Sequence, residues 1–497
     1  MSDGMKISKK TKTGPEDWPP RVLRKAALKD VENRLRAAPD AIEPRFNRAQ
    51  LLMELGRTEE AKQAYLELLA LSPSHPGALN NLGALLHASG FTTAARTCYT
   101  QAVTHHPDDP MGHVNLANSL RQSGELVLAR EHYEKALRAD PDHHEAHQGL
   151  SFLFQEQGSE EAAEKHRRLG FQNRATLIWP YHGSRQPVHV VLLASAMGGN
   201  APLRPFLDDH LYHVTVLFTE FYTLPLPPHQ LIINAIGDAD LSRPGLEAAQ
   251  ELTSTSPAPV LNHPDAVLST GRIANARRLG RIPDVLTPRI LCLQRDMLAS
   301  SGALESLADQ GIVPPFLLRT PGFHNGYNFF RVENARDLTA SLAALPGREI
   351  TVMQFLDARN PDGKIRKYRI MLVGGRIYPL HAAISSHWKI HHVTAEMADN
   401  PEHRAVEETF LRDMPQVLGK KAMQALAGIR DVLGLDYAGV DFSLNAQGQI
   451  LLFEANAPMV VQPPEPDKRW DYRRKPVEKV IKAISRLIAA KAAGSSR

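Results

Sequence analysis

The chain has 497 residues, 43% apolar and 23% charged, with a formal net charge of +4. That length supplies two to four domains with their own cores, and so small a charge gives no support to nucleic acid as a partner. Two cysteines, Cys98 and Cys292, exclude a disulfide framework and fit a reducing, cytoplasmic setting, and no apolar run of about 18 residues is present to span a membrane.

Residues 1–38 open with a polar stretch, MSDGMKISKKTKTGPEDW, that has no apolar signal core. It reads as a leader followed by part of a repeat. From 39 to 177 the sequence repeats itself every 34 residues: Pro39, Pro73, Pro107 and Pro141 keep that step, and so do Gly56, Gly90, Gly124 and Gly158. Ala61, Ala95, Ala129 and Ala163 follow the same period, as do Tyr65, Tyr99 and Tyr133. The pattern predicts two antiparallel helices per unit, with glycine at the turn between them and proline after the second, where no helix N–H is lost. Small alanines let the paired helices approach, and tyrosine fills the space toward the next unit. The units are placed at 42–75, 76–109, 110–143 and 144–177; the last carries Arg167 in place of tyrosine and is expected to act as a cap.

These features resemble tetratricopeptide repeats. The resemblance implies an all-α solenoid whose concave groove, lined by the first helix of each pair, receives a peptide or protein. Asn80, His87, Asn118 and Arg121 are the groove candidates, set against a plain reading as solvated face residues. His143, His144 and His147 lie at helical spacing, but no acidic or thiol partner has matched spacing, so they are read as surface residues.

After Ile178-Trp179-Pro180 the pattern changes to short apolar strands: His189–Ala194, His213–Phe218 and Leu231–Ile236. With helical segments between them they predict a small Rossmann-like α/β layer over 188–283. The loop carrying Gly198-Gly199 is not G-x-G-x-x-G and is a weak nucleotide signal. Asn262, His263 and Arg272 could face a substrate, or serve a plain turn and helix cap.

The segment 284–490 carries the chemistry. Phe316-Leu317-Leu318-Arg319 is an apolar strand ending in a cation and followed by a glycine-bearing loop, 320–326. A strand at Ile350–Asp357 and a hairpin from Lys364 to Tyr378 follow. Near the C-terminus two runs rich in β-formers, AGVDFSL and QILLFEAN, flank Asn445-Ala446-Gln447-Gly448 and predict a hairpin. Side chains alternate along a strand, so Glu454 and Asn456 point the same way, and Asp441 on the paired strand can join them. Two carboxylates and an amide oxygen around one small volume suit Mg²⁺, which keeps waters and completes its shell with substrate phosphates. A half-exposed hairpin with a polar solvent face is the bland alternative.

The Asp441, Glu454, Asn456 pattern, followed by Ala457-Pro458, resembles the metal-binding signature of the ATP-grasp enzymes, over roughly 188–490. The resemblance implies a multidomain chain: a repeat solenoid, an α/β pre-ATP-grasp domain at 188–283 and an α+β ATP-grasp fold at 284–490. It implies ATP and Mg²⁺, two ions, as cofactors, held by Asp441, Glu454 and Asn456. It makes Arg319, with His324 and Gly326 of the loop, phosphate contacts, and makes Gln354, Phe355 and Leu356 the hinge that meets adenine, with Asp357 on the ribose. Arg369 becomes a phosphate or substrate ligand, Lys367 a further cation, and Lys389 a cation near the transferred phosphate. The activity implied is a carboxylate–amine ligase, forming an acylphosphate that an amine displaces, on a small-molecule carboxylate or amine or on a peptide brought by the repeats. The rivals are a nucleotide-binding repeat scaffold without turnover and an ATP-grasp phosphotransferase. No covalent nucleophile is required, since catalysis by positioning and charge stabilisation suffices.

Overall fold

Proline and glycine punctuate the N-terminal helices where the period requires. The computed structural model describes residues 20–223, 225–320, 328–390, 396–457, 459–464 and 467–494. The leader, 1–19, and the loop residues His324 and Gly326 lie outside the described residues. Helix α1 (Pro20–Ala37) is followed by the pairs α2 (Ile42–Glu54) and α3 (Thr58–Leu71), then α4 (Pro76–Ala88) and α5 (Thr92–His105). Next come α6 (Pro110–Gln122) and α7 (Leu126–Ala139), then α8 (His144–Glu156) and α9 (Glu160–Phe171). Each turn within a pair holds its glycine in the left-handed region, φ 73° at Gly56, 86° at Gly90, 82° at Gly124 and 71° at Gly158, where a Cβ would be strained. Ala61, Ala95 and Ala129 are fully buried, and Tyr65, Tyr99 and Tyr133 fill the core behind them. Tyr133 reaches the next pair only because Gly149 has no side chain: a Cβ there would lie 2.2 Å from its ring.

Polar residues tie successive pairs together. Asn80 is buried; its Nδ2 donates to Asp109 Oδ2 at 2.8 Å and its Oδ1 accepts from Asn115 Nδ2 at 3.1 Å. His113 Nε2 lies 2.8 Å from the Pro107 carbonyl, and His147 Nε2 stands 3.0 Å from that of Pro141. These histidines donate to carbonyls in the turns that follow the preceding helices; His143 and His147 are 8% and 6% exposed, which corrects the expectation of surface residues for two of the three. With His113 Nε2–H given to Pro107, its Nδ1 is left to accept from His132 Nδ1–H at 2.8 Å.

The chain divides into two compact units, the first comprising the described residues up to Leu150 with Pro180–Pro187 and Asp209–Leu211. The repeats were expected to run to 177, yet Ser151–Trp179 belong to the second unit. The reason is local packing: Phe171 is buried with its ring centroid 4.6 Å from that of Phe218, and Gln155 Nε2 donates to Met197 O at 2.9 Å. Arg167, at the missing tyrosine position, is itself buried and bonded to Glu164 and Gln155.

The second unit holds three sheets. In the first, β3 (Tyr212–Phe218), β2 (Val188–Ala194), β4 (Leu231–Asn234) and β5 (Val260–Leu261) are parallel in that order, and β1 (Thr176–Ile178) pairs antiparallel with β3 at the edge. Residues 176–177 therefore leave the expected last repeat. The Glu220 carboxylate closes the loop after β2 by accepting from Ser195 Oγ and from Ala196 N, so the place an anion would take there is filled. The second sheet is antiparallel, β7 (Ile290–Gln294), β10 (Glu349–Gln354), β8 (Phe316–Arg319) and β9 (Phe329–Val332). The third has the order β12 (Arg376–Ser385), β11 (Ile365–Val373), β13 (Tyr437–Leu444), β14 (Ile450–Asn456) and β6 (Val285–Leu286), the last pair parallel. One face of this sheet, with Tyr368, Ile370, Val440 and Phe442, packs on the helices Pro401–Arg412 and Met414–Leu433. The other, with Met371, Val373 and Tyr437, packs on Val477, Val480, Ile484 and Ile488 of the helix Asp471–Ala492. Among the described residues no helix is long and apolar enough to cross a membrane.

Two expectations follow for the array. Gly149→Ala drives a methyl into the Tyr133 ring and costs about 1–3 kcal/mol of stability, read by thermal or urea unfolding. Burial, and then His113 beside it, pushes the His132 imidazole down to about 4. An unfolded imidazole takes up its proton near 6.5, so between about 6.5 and about 4 the unfolded chain binds more protons and stability falls as pH falls. Solvent screening leaves about 1 kcal/mol of this, and His132→Gln flattens that part of the pH–stability curve measured by urea unfolding.

Candidate functional site

Strand register assembles the site. On β11, Lys367 and Arg369 alternate with the core residues Tyr368 and Ile370, and so share the opposite face. Arg369 lies across from Asp441 on β13, and Asp441 across from Glu454 on β14, while Asn456 pairs with Gly439. A register shift follows Arg369 on β11 and another follows Asp441 on β13, bulges of the kind that re-aim side chains beside sites.

Asp441 is 1% exposed. Arg369 grips it with Nε on Oδ1 at 2.5 Å and Nη2 on Oδ2 at 2.7 Å, and Lys367 Nζ stands 2.6 Å from Oδ2. Burial alone would push its carboxyl up, but the Arg369 guanidinium and Lys367 outweigh burial and hold it well below the usual carboxylate range. Glu454 accepts from Asn456 Nδ2 at 2.8 Å and faces Arg272 Nη2 at 3.5 Å. Asn456 Oδ1 is buried and has no hydrogen-bond partner among the described residues. Arg319, at the end of β8, is pushed down to about 10, first by burial and then by Arg272, with Glu454, Asp238 and Asp240 acting in the opposite sense. Arg319, Arg272 and the hairpin acids thus share one electrostatic neighbourhood.

The second wall comes from β4's exit and α12, the helix Arg272–Leu279, lining a cleft with the end of β14. Arg272 N donates to Asp240 Oδ2 at 2.9 Å, an approach that Gly271 permits, since a Cβ there would lie 2.8 Å from Asp240 Oδ1. Asp238 and Asp240 were missed as site residues; their one signal was position just past the third predicted strand.

Other candidates sit differently. Asn262, at φ 54°, is buried and joins two distant segments of the fold: its Nδ2 donates to Tyr437 O at 2.8 Å and its Oδ1 accepts from Tyr437 N at 2.9 Å. It is structural rather than substrate-facing. His263 caps the helix Pro264–Leu268. Asp357 is exposed and chelated by Arg359, Nη2 to Oδ2 at 2.5 Å. Gln354 accepts from Arg289 N at 3.2 Å, whereas Phe355 packs with Trp388 beside Ile290, Leu317 and Met353. Leu356 joins Trp388 and Phe453 in a neighbouring apolar cluster, and Lys389 is exposed. In the array, Asn80 is committed to Asp109 and Asn115, Asn118 Oδ1 accepts from Tyr133 Oη at 2.6 Å, and His87 Nε2 lies 2.7 Å from Gln122 Oε1. Arg121 is half-buried on the same helix as Asn118.

As for a metal, no group of three or more His, Cys, Asp or Glu side chains converges among the described residues. The donor set at the hairpin is instead two carboxylates and an amide, with the unpartnered Asn456 Oδ1 as the oxygen left for a cation. That chemistry fits a hard ion that keeps several waters.

Residues 49–90 match the family description TPR repeat, and residues 88–144 match Tetratricopeptide repeat. The N-terminal array is built of tetratricopeptide repeats. A search of curated proteins finds no match. Similar solved structures include MamA 41-end from Desulfovibrio magneticus RS-1, at 24% identity and TM-score 0.27, covering 29% of this chain and 81% of that one. PilW, a widely conserved type IV pilus biogenesis factor, aligns at 18% identity and TM-score 0.28 over 30% of this chain and 68% of its own. YrrB, a TPR protein with an unusual peptide-binding site, aligns at 17% and 0.26, over 30% and 77%. TPR arrays bind peptide or protein segments, and the first 150 residues of this chain carry such a scaffold.

Asp441→Asn leaves Arg369 and Lys367 beside a neutral amide. Removing one partner of a buried ion pair costs about 3–5 kcal/mol, so differential scanning calorimetry of the full chain is expected to show the transition of the second unit lowered and that of the TPR array unmoved.

Proposed function

We propose that the chain is a Mg-ATP-dependent ligase of the ATP-grasp type, activating a carboxylate as an acylphosphate and joining it to an amine. The observation that carries the reading is the alignment of Arg369, Asp441 and Glu454 on three adjacent strands, with Asn456 Oδ1 unpartnered beside them. Arg319 and Arg272 add two guanidinium groups to the same neighbourhood, the charge a triphosphate needs. Asp441 fixes the guanidinium plane of Arg369 and the ammonium of Lys367, so both cations are oriented before an anion arrives. Glu454, Asn456 and Asp441 would hold Mg²⁺, with Asp441 sharing its oxygens with its two cations. Once bound, the ion supplies Lewis-acid charge neutralisation to phosphate. The apolar cluster of Ile290, Leu317, Met353, Phe355 and Trp388 suits a purine base. The TPR array recruits the peptide or protein on which, or beside which, the ligase acts.

A second reading is a nucleotide-binding TPR scaffold without turnover. It is favoured by the saturation of Asp441, both of whose oxygens are taken by Arg369 and Lys367. The two readings part on phosphate release from Mg-ATP.

Calorimetric titration of the full chain with a non-hydrolysable ATP analogue and Mg²⁺ is the direct test. Binding is expected to require Mg²⁺ and to weaken at least about tenfold in Glu454→Ala. Equal affinity in that variant removes the metal assignment.

A further inference from the structure

The fourth repeat departs from the others in what its first helix touches. Phe152 and Gln155 of α8 stand one period of 34 residues after Asn118 and Arg121, the groove candidates of the third repeat. Both lie in Ser151–Trp179, the part of the array that belongs to the second unit. There the groove positions are already met by the loop that leaves β2. Gln155 Nε2 donates to Met197 O at 2.9 Å, and the Phe152 ring lies 3.6 Å from where a Cβ on Gly198 would stand. The same loop carries a wall of the cleft. Gly199 O accepts from Gly237 N at 2.9 Å and from Asp238 N at 3.2 Å, and Ser242 Oγ donates to Gly198 O at 2.8 Å. Asp238 lines the cleft with Glu454 and Asn456. The turn between α8 and α9 reaches a second segment, since a Cβ on Gly158 would lie 3.0 Å from Gly347 N. Arg295 Nε donates to Gly347 O at 2.9 Å, and Thr320 Oγ1 donates to the adjoining Pro346 O at 2.9 Å. Thr320 directly follows Arg319 at the end of β8. At the equivalent turn of the second repeat, a Cβ on Gly90 would meet nothing within 4 Å among the described residues.

We propose that the α8–α9 hairpin braces the nucleotide cleft, with Gln155 and Gly158 as positioning residues that set Asp238 beside the first sheet and Arg319 at the end of the second. The cleft's ligand rests on the function proposed above; the brace rests on the contacts alone. The two sheets have separate cores: β2 and β4 contribute Val191, Leu193 and Ile232 to one, and β8 and β10 contribute Phe316, Leu318 and Val352 to another. Bodies with separate cores shift against each other unless a third element touches both. The hairpin does so, through Gln155 and Phe152 on one side and through Gly158 on the other. Glycine is needed at 158 twice over, for φ 71° and for the approach to Gly347. Coupling of this kind is reciprocal, so nucleotide stabilises the hairpin by as much as the hairpin favours nucleotide. The array thereby responds to the nucleotide through its last member, and the groove positions left for a partner are those of the first three repeats.

The test follows the full chain by calorimetric titration with the non-hydrolysable ATP analogue and Mg²⁺, and by hydrogen exchange with and without nucleotide. Gln155→Glu keeps the acceptor that Arg167 Nη2 meets at 2.7 Å but removes the donor to Met197 O. It is expected to speed exchange of the Gly237 and Asp238 amides about tenfold, the loss of one hydrogen bond, and to weaken the analogue at least about fivefold. Gly158→Ala is expected to weaken the analogue to a similar extent. Gly90→Ala, at φ 86° and so under the same backbone strain, is expected to leave its affinity unchanged. Bound analogue is expected to slow exchange in 151–171 and not in the helices between 42 and 139. Gly90→Ala weakening the analogue as much as Gly158→Ala overturns the brace, because strain alone then accounts for the effect. So does unchanged exchange at Gly237 and Asp238 in Gln155→Glu. If the wild-type chain binds no analogue, the nucleotide reading fails, and exchange at Gly237 and Asp238 decides the brace by itself.

Discussion

A carboxylate buried in the middle of a five-stranded sheet dictates much of the second unit. Asp441 is nearly inaccessible, and water cannot solvate it. Its charge is tolerated because Arg369 and Lys367 approach from the next strand at the correct register. A slip of one residue on β11 would set Ile370 against Asp441 and send Arg369 toward Phe410 and Leu426. Both outcomes strand a charge in apolar surroundings. The pair thus specifies the register of β11, β13 and β14 more sharply than the apolar residues around them, which could exchange with modest loss. Stability and site geometry are linked through one interaction, so a change to Asp441 cannot be read as a change to chemistry alone.

The repeat array was legible in the sequence because its glycines, prolines and alanines do backbone work. A left-handed turn needs glycine wherever it occurs, and a proline after a helix needs no partner elsewhere. What the sequence concealed was the polar ladder between repeats. Asn80 looks like a groove residue when its own helix is considered alone. It becomes a structural one only when Asn115 arrives from the following repeat, 35 residues away, with Asp109, which caps that repeat's first helix, 29 residues away. His147 likewise reads as surface until its ring nitrogen is seen to serve the Pro141 carbonyl, six residues earlier. Partner identity, not composition, decided these cases.

The candidate site divides along the same line. The hairpin that carries Asp441, Glu454 and Asn456 was readable from alternation and a short turn, both local properties. Gly448 takes φ 71° and Asn445 Oδ1 accepts from Gln447 N and Gln449 N, so that turn is specified within five residues. The opposite wall was not readable, because Asn275 meets Ala455 across 180 residues of sequence and Asn262 meets Tyr437 across 175. No periodicity signals such a meeting. Asp357 shows the reverse error: it was expected at the end of the strand from Ile350, but β10 stops at Gln354 and an arginine two residues on claims its carboxylate.

The two long-range asparagines also decide how rigid the cleft is. Asn262 exchanges two hydrogen bonds with the backbone of Tyr437 and gives its own N–H to Asp436 Oδ2 at 3.0 Å. Lys491 from the C-terminal helix lies 3.0 Å from the same Asp436 oxygen and donates to Val260 O at 3.1 Å. The start of β13, the end of β5 and the last helix are therefore bolted together at one end, while Asn275 ties α12 to β14 at the other. A cleft fixed at both ends does not have to be ordered by its occupant, and the entropy that ordering would cost is already spent in folding. Rigidity also explains why an unmet acceptor persists there: Asn275 cannot turn its Oδ1 toward water without giving up Ala455. That one oxygen is held where it is by the same bonds that shape the cleft.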